Sequence, residues 1–428
     1  MAAPALPTES AGRQSSFVCP FCGLLCDDLP GPGETADLLA WSALLQALCP
    51  RAAAGLAGLI GPADAASIDG VAASVAAAIA EAARRLAAAR RPVIGGLGGD
   101  VQAMRAALAL ADRCGARVVH RNQFAAQRNL FAMQSRGAMT TTLAEAKNRA
   151  ALVIIVGSDV TRQFPRLLER LFAPAPAFVA AAARRIVLLG APAPARLPPD
   201  VCVEMVDCGD LDLFEAVAAL RGFVARQPVA ARGDAGDGLR QLAQEMGECA
   251  YGVVLWAAGD LDFAAADLLV EQLHQLVIDL NRTTRWAGLP LGGNDADLTA
   301  NAVATWQTGF PLPIEFAAGT VGYDPFPDYR DADLLLWLSA LPGVGAPQLP
   351  GAAADTPAIV IGAPAAAAAL PPRHVFVAAA TPGVSGSGYL VRTDGVVTLY
   401  APAVLTSALP AAATLIDAIA AALGGASP

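Results

Sequence analysis

The chain has 428 residues, with 29 Lys plus Arg against 38 Asp plus Glu and a formal net charge of −9. At roughly 100–200 residues per domain, the length allows several domains and a large buried core. The acidic balance excludes a broad nucleic-acid-binding surface, which needs clustered Lys and Arg. A content of 55% hydrophobic and 16% charged residues excludes a mostly disordered chain.

In chain order, Met1–Gln14 lacks a basic region leading into an apolar stretch, so no signal peptide is expected and a cytoplasmic, reducing location follows. Next comes Cys19-Pro-Phe-Cys22-Gly-Leu-Leu-Cys26, three thiols within eight residues, and then Cys49-Pro50. These spacings let one loop wrap three thiolates around a centre, with Gly23 permitting the tight backbone and Cys49 supplying a fourth ligand. Four thiolates suit either a [4Fe–4S] cluster or tetrahedral zinc, and the three-residue interval favours iron–sulfur. The competing reading is an empty thiol loop, with Cys49 packed as core at the end of the apolar helical segment Leu38–Leu48.

Beyond this module, residues 1–60, short apolar runs alternate with alanine-rich helical ones. Pro92–Gly95 reads as a buried strand, Val101–Arg113 as a helix, and Arg117–His120 as a strand. Ala151–Val156, written ALVIIV, is the strongest parallel-strand signal. Further strands are expected at Arg185–Leu189, Val201–Val206, Gly252–Trp256, Leu276–Leu280, Leu334–Leu338, Ala358–Ile361 and His374–Val377. Continuous apolar strands separated by helices indicate parallel sheets covered on both faces. The expected fold is therefore α/β, with several Rossmann-like parallel-sheet domains behind the cysteine module. The polar stretch Arg221–Asp237 is read as a link between a domain at 61–225 and a second α/β region at 226–428. Ala401–Leu423 is broken by Pro402, Pro410 and Asp417, and reads as a strand and a packed helix rather than a membrane span.

The chemistry-bearing residues are few. The one lysine, Lys147, sits in no glycine loop, which excludes a Walker A cradle. The three histidines, His120, His274 and His374, share no ligand spacing, so a His-ligated hydrolase is not expected and each is read as structural. Gly383-Val-Ser385-Gly-Ser387 fails the G-x-S-x-G pattern, because serine stands where the second glycine is needed. Gly95–Asp100 lacks the order of a dinucleotide fingerprint. Gly157-Ser158-Asp159 follows the best strand on the expected ligand side, where Asp159 either binds a ligand hydroxyl or caps the next turn. No catalytic residue is assigned. Cys114, Cys202, Cys208 and Cys249 are read as packing.

The segment CPFCGLLCDDL at 19–29 resembles the B subunit of formylmethanofuran dehydrogenase, in the molybdopterin oxidoreductase superfamily. Glu145–Ala150 leading through the next strand to Gly157, Thr305-Trp306-Gln307-Thr308-Gly309-Phe310-Pro311, and Arg392-Thr393-Asp394-Gly395 resemble further segments of that family in the same order. The resemblance implies Rossmann-like domains around a bis-pterin tungsten or molybdenum site, with a [4Fe–4S] cluster on Cys19, Cys22, Cys26 and Cys49. It also implies that the pterin-binding β-barrel is absent from the C-terminal part of this chain. In the family, Gly157, Ser158 and Asp159 would correspond to a pterin-pocket turn, here without its usual asparagine–proline.

Two departures redirect the functional expectation. Redox-active relatives ligate the metal with cysteine or selenocysteine between the His120 strand and the next helix, whereas Asn122–Arg128 here contains no thiol. Arg51 stands where the family has a lysine after the fourth cysteine. The pattern resembles the B subunits of bacterial formyltransferase/hydrolase complexes. It implies a non-redox structural subunit in tetrahydromethanopterin-linked one-carbon oxidation to formate, without tungsto- or molybdopterin. The implied partners are a zinc-dependent amidohydrolase-like subunit and a formyltransferase subunit. The alternative is a tungsten- or molybdenum-pterin catalytic subunit of formylmethanofuran dehydrogenase.

Overall fold

The computed structural model describes residues 16–33, 37–61, 65–173, 175–199, 201–317 and 319–425. Two sheets organise these residues, and both are built around parallel strands.

The smaller sheet has five parallel strands in the order Trp286–Leu291, Gly252–Ala257, Leu152–Val156, Arg185–Leu189, Cys202–Val206. Its central strand is the LVIIV run, whose five residues are all buried. Because side chains alternate along a strand, Leu152, Ile154 and Val156 enter one core while Val153 and Ile155 enter another. Burial on both faces explains why the run lacks polar alternation, and each such side chain contributes about 1.5–3 kcal/mol. The first core is completed by the helices Leu213–Val224, Gly233–Glu248 and Ala266–Leu280. The second core contains the cysteine segment itself.

The larger sheet has nine strands and is mixed rather than wholly parallel. Its parallel centre runs Arg117–Val118, Pro92–Gly98, Leu334–Ser339, Ala358–Gly362, His374–Ala378. Antiparallel hairpins flank it on both sides, Ile314–Ala317 with Thr320–Tyr323 and Ala66–Ile68 with Val71–Ala72. Antiparallel strands can join through a turn of two residues, whereas parallel ones need a long crossover, so short hairpins serve at the edges. Asp69-Gly70, with both residues at positive φ, makes one of these turns.

Leu276–Leu280 is not a strand. It forms the last turns of the helix Ala266–Leu280, where Leu269, Val270, Leu273, Leu276, Val277 and Leu280 are buried at helical spacing. The period extends back beyond Leu276-Val277-Ile278-Asp279-Leu280, and that longer period decides the conformation. The polar stretch at 221–237 carries the chain from the helix Leu213–Val224 into Gly233–Glu248, and both pack on the five-stranded sheet. The C-terminal helix Ala412–Gly425 joins the core of the larger sheet through Leu415, Ile416 and Ile419. Among the described residues, no helix is long and apolar enough to cross a membrane.

Candidate functional site

The short strands Ser16–Phe17 and Leu29–Pro30 pair antiparallel and pinch off the cysteine loop between them. The Cys19 amide donates to the Cys26 carbonyl at 2.8 Å, and Leu25 at φ 47° turns the loop back on itself. Cys49 arrives as the hinge between the helices Leu38–Leu48 and Pro50–Ala57, in extended conformation with Pro50 following. All four cysteines are buried in the same apolar core, among Phe17, Leu24, Trp41, Leu45 and Leu56.

Glycines set the close approaches around this loop. A Cβ on Gly55 would fall 2.3 Å from the Phe21 ring, and one on Gly23 would fall 2.1 Å from the Gly292 carbonyl oxygen. Beyond the loop, Asp27 and Asp28 are clamped by arginines of the following fold unit. Arg166 donates to both Asp28 oxygens at 2.7 and 2.9 Å, and Arg170 to Asp28 at 2.8 Å and Asp27 at 3.1 Å.

Burial pushes the Cys22 thiol up to about 11 and the Cys26 thiol up to about 12, and drives Cys19 well above the usual range. Neighbouring sulfurs reinforce this rise at Cys19 and Cys26. The backbone amides of Phe21 and Leu24 oppose it at Cys19 and Cys22, and the guanidiniums of Arg51, Arg166 and Arg170 oppose it at Cys22 and Cys26. Among the described residues, no three His, Cys, Asp or Glu side chains are gathered as one metal ion requires. Four buried thiols suit tetrahedral zinc, with Zn–S bonds of about 2.3 Å, or a four-iron cluster. A four-iron cluster binds each thiolate through a separate iron and spreads its ligands more widely. The donor set here, four cysteines with amides and cations directed at them, is chemically that of such a cluster.

Beside the loop lies a cavity of about 920 Å³. Its walls come from the carboxyl ends of parallel strands in both sheets, the place where α/β folds bind ligands. From the smaller sheet come Ala257, Leu291, Gln163 and Phe164; from the larger come Arg121, Asn122, Leu341 and Pro342. The cysteine module contributes Phe21 and Arg51. The stretch at 122–128 faces the cavity through Phe124, Ala125 and Arg128.

The turn Gly292–Asp297 forms one wall and carries backbone strain. Asp295 and Ala296 stand at φ 54° and 64°, the left-handed region that non-glycine residues adopt at a cost of about 1–3 kcal/mol each. Surrounding bonds hold the turn in place. His120 Nδ1 accepts the Asn122 amide at 2.9 Å, so its proton lies on Nε2, which donates to the Asp295 carbonyl at 2.9 Å. Asn122 donates to the Asn294 carbonyl, Asn294 donates to Gln163 Oε1, and the Gly23 amide donates to Asn294 Oδ1. Thr393 links both regions, its hydroxyl accepting from Gly292 and its amide donating to Gly23. Burial pushes the Asp297 carboxyl up, against the Gly293 amide that it accepts.

The sequence-predicted residues therefore divide. Cys19, Cys22, Cys26 and Cys49 come together in one core. Gly157, Ser158 and Asp159 follow the Leu152–Val156 strand but are not among the cavity-lining residues. Asp159 accepts from Thr161 on one oxygen and from the Ala195 amide on the other, tying down the proline-rich segment. The lining from this strand end comes from Gln163 and Phe164. His120 is structural as expected, but it braces the cavity wall, a role that spacing alone did not signal. The Arg392–Gly395 segment likewise acts as a brace, with the Asp394 carboxylate buried against Arg392 and the Leu143 amide. Trp306 is largely exposed at the end of the helix Asp297–Thr308, away from the cavity-lining residues.

Comparison with known proteins places these features in context. No family model matches the chain. It is 31% identical over 346 residues to the B subunit of the formyltransferase/hydrolase complex Fhc of Methylorubrum extorquens, covering 79% of this chain and 91% of that protein. It is 27% identical over 360 residues to the B subunit of the tungsten-containing formylmethanofuran dehydrogenase 2 of Methanocaldococcus jannaschii, covering 78% and 80% respectively. Among solved structures, it matches a chain of the formyltransferase/hydrolase complex (FhcABCD) from Methylorubrum extorquens, crystallised with methylofuran. The TM-score is 0.72 at 29% identity, covering 85% of this chain and 100% of that one.

Proposed function

Because the chain belongs to the family of formylmethanofuran dehydrogenase B subunits, we propose that it is the non-redox structural subunit of a formyltransferase/hydrolase complex. That complex releases formate in tetrahydromethanopterin-linked one-carbon oxidation. The observation that carries the reading is the chemistry of the cavity wall. The cavity sits where the two sheets present their strand ends, and none of its lining residues is a cysteine. A soft metal held by pterin dithiolenes would find no protein thiolate there. Hydrolysis then belongs to a zinc-dependent amidohydrolase-like partner and formyl transfer to another subunit, in keeping with three histidines that are all engaged in packing or bracing.

In this reading the chain's own residues shape and brace. The braced turn at 292–297 and the cysteine loop form one rigid wall, and the apolar face left exposed by Leu39, Leu44 and Leu48 is available to a partner. Cys19, Cys22, Cys26 and Cys49 would hold a [4Fe–4S] cluster, which supplies one-electron transfer when bound. In the proposed role these four residues anchor the N-terminal module to the smaller sheet.

A second reading, a tungsten- or molybdenum-pterin dehydrogenase subunit, draws on the retained 920 Å³ cavity and on similarity to tungsten-containing relatives. Affinity purification of this chain from its native host tests the assembly. The proposal expects a hydrolase and a transferase subunit at fixed stoichiometry. A chain that elutes alone overturns it.

A further inference from the structure

The helix Leu38–Leu48 has no ionisable residue along its 11 positions, although a whole side of it faces solvent. Trp41 and Leu45 point into the core of the cysteine module, and Trp41 Nε1 donates to the Pro30 carbonyl at 2.9 Å. On the opposite side Leu39, Leu44 and Leu48 are 66%, 51% and 43% exposed, and Ala40, Ala43 and Ala47 are exposed between them. These residues form two adjacent rows at i, i+4 spacing, Leu39-Ala43-Ala47 and Ala40-Leu44-Leu48. Single exposed leucines are ordinary on a protein surface, but a continuous uncharged strip along a helix marks an interface.

Two charges bracket this face. Asp37 caps the helix N-terminus through Oδ1, which accepts the Leu39 and Ala40 amides at 2.9 and 3.4 Å. Its Oδ2 has no donor among the described residues. At the other end Arg196, from the proline-rich segment, donates Nη2 to the Ala47 and Leu48 carbonyls at 2.9 and 3.3 Å. Its Nε and Nη1 have no acceptor among the described residues. Neither Asp37 nor Arg196 meets an opposite charge within 4.0 Å among the described residues. They stand at opposite ends of a helix about 16 Å long.

The symmetry of the face identifies what covers it. Turned end for end about the point between Ala43 and Leu44, the strip maps onto itself. Leu39 then falls opposite Leu48, Ala40 opposite Ala47, and Ala43 opposite Leu44. Asp37 of each copy arrives at the end where Arg196 of the other sits, so the unpaired charges meet twice. A twofold contact requires this self-complementarity, in which residue i meets j and j meets i. The alanines let two such helices approach to about 8 Å, and antiparallel alignment sets each N-terminus beside a C-terminus, which the macrodipoles favour.

We propose that the helix Leu38–Leu48 is a homodimer interface. It packs antiparallel against the same helix of a second copy of this chain, with Asp37 of each copy paired to Arg196 of the other. This goes beyond the assembly role and does not depend on it. A chain of net charge −9 repels its own copy, but physiological salt screens that repulsion beyond about 8 Å, and the strip itself is uncharged.

Sedimentation velocity of the purified full-length protein, from about 1 to 100 μM, tests this. A contact centred on one short helix lies at the small end of specific interfaces, so the dimer should dissociate with a Kd on the order of 10 μM. Leu44→Glu sets two carboxylates against each other near the twofold axis and should weaken dimerisation about tenfold or more. Leu268→Glu makes the same change at a position 48% exposed on the helix Ala266–Leu280, and should leave dimerisation unchanged. Asp37→Asn keeps a capping side chain but removes both charge pairs, and should weaken the dimer about two- to tenfold. A protein that stays monomeric over the whole range overturns the proposal. So does a dimer that Leu44→Glu leaves intact, or an Asp37→Asn variant that pairs as tightly as the wild type. If Leu44→Glu strips hydrolase or transferase subunits from the native complex while the purified chain is monomeric, the face belongs to those subunits and the proposal fails. Absence of those subunits from the native preparation bears on the assembly role alone, because dimerisation is read on the isolated chain.

Discussion

The contact between the cysteine loop and the strained turn can be tested by adding a single methyl group. In Gly23→Ala the new Cβ would lie 2.1 Å from the Gly292 oxygen and 3.0 Å from the Gly293 Cα, and both obstacles are backbone. Neither can rotate away, so one of the two segments must shift. The resulting overpacking costs about 1–3 kcal/mol. The shift also strains two hydrogen bonds, from the Gly23 amide to Asn294 Oδ1 at 3.3 Å and from the Thr393 amide to the Gly23 carbonyl at 2.7 Å. Each contributes about 0.5–1.5 kcal/mol. The expected destabilisation is therefore about 2–6 kcal/mol, read from urea unfolding with unchanged slope. Gly247→Ala is the matched control. It lies in the helix Gly233–Glu248 with no atom within 4 Å of its added Cβ, and should stabilise by about 0.5–1 kcal/mol. If Gly23→Ala unfolds within about 0.5 kcal/mol of the wild type, the close approach of loop and turn is refuted.

Other outcomes follow from the same geometry. The buried Cys22 and Cys26 thiols titrate at about 11 and about 12, above their unfolded value near 8.5, so the native metal-free chain holds protons that the unfolded chain releases. Its stability should accordingly be full below about pH 8.5 and fall between there and pH 11 by about 1.4 kcal/mol per unit for each thiol, while Cys22→Ser/Cys26→Ser shows a shallower alkaline loss in denaturant titrations. His120→Ala removes the donor to the Asp295 carbonyl that keeps the turn in its left-handed conformation, and should cost about 2–4 kcal/mol by chemical denaturation. Arg166→Met leaves Asp28 without its bidentate partner; because Asp28 is half exposed, the loss should be about 1–3 kcal/mol, below that of a fully buried pair. A His120→Ala melt indistinguishable from wild type, or an Arg166→Met variant of unchanged stability, would count against those two assignments.

The sequence made the interior strands legible because each one is buried on both faces and needs no polar alternation. Leu152–Val156, Arg185–Leu189 and Ala358–Gly362 stand out for that reason. The edge hairpins were harder to read. Ala66–Ile68 and Val71–Ala72 are too short to show a period, although the Asp69-Gly70 turn between them is a recognisable signal. Leu276–Leu280 reads as a strand because four apolar residues around Asp279 do not distinguish a strand from the end of a helix. The four cysteines could be picked out by spacing, and Cys49 proved to be in the same core as the other three. The cavity was not legible, because it is assembled from the ends of strands far apart in sequence. Arg51, Arg121 and Arg128 carry no common motif, and they meet only because two sheets point their carboxyl ends at one space.

In the role proposed, this family member braces and shapes a complex without a redox metal in its cavity. Elemental and pterin analysis of the complex, purified anaerobically from the native host, tests it most directly. Zinc is expected on a partner subunit, and iron with sulfide at no more than the level of one four-iron cluster on this chain. Tungsten, molybdenum and pterin should all fall well below stoichiometry. One tungsten or molybdenum with its pterin for each copy of this chain would contradict it.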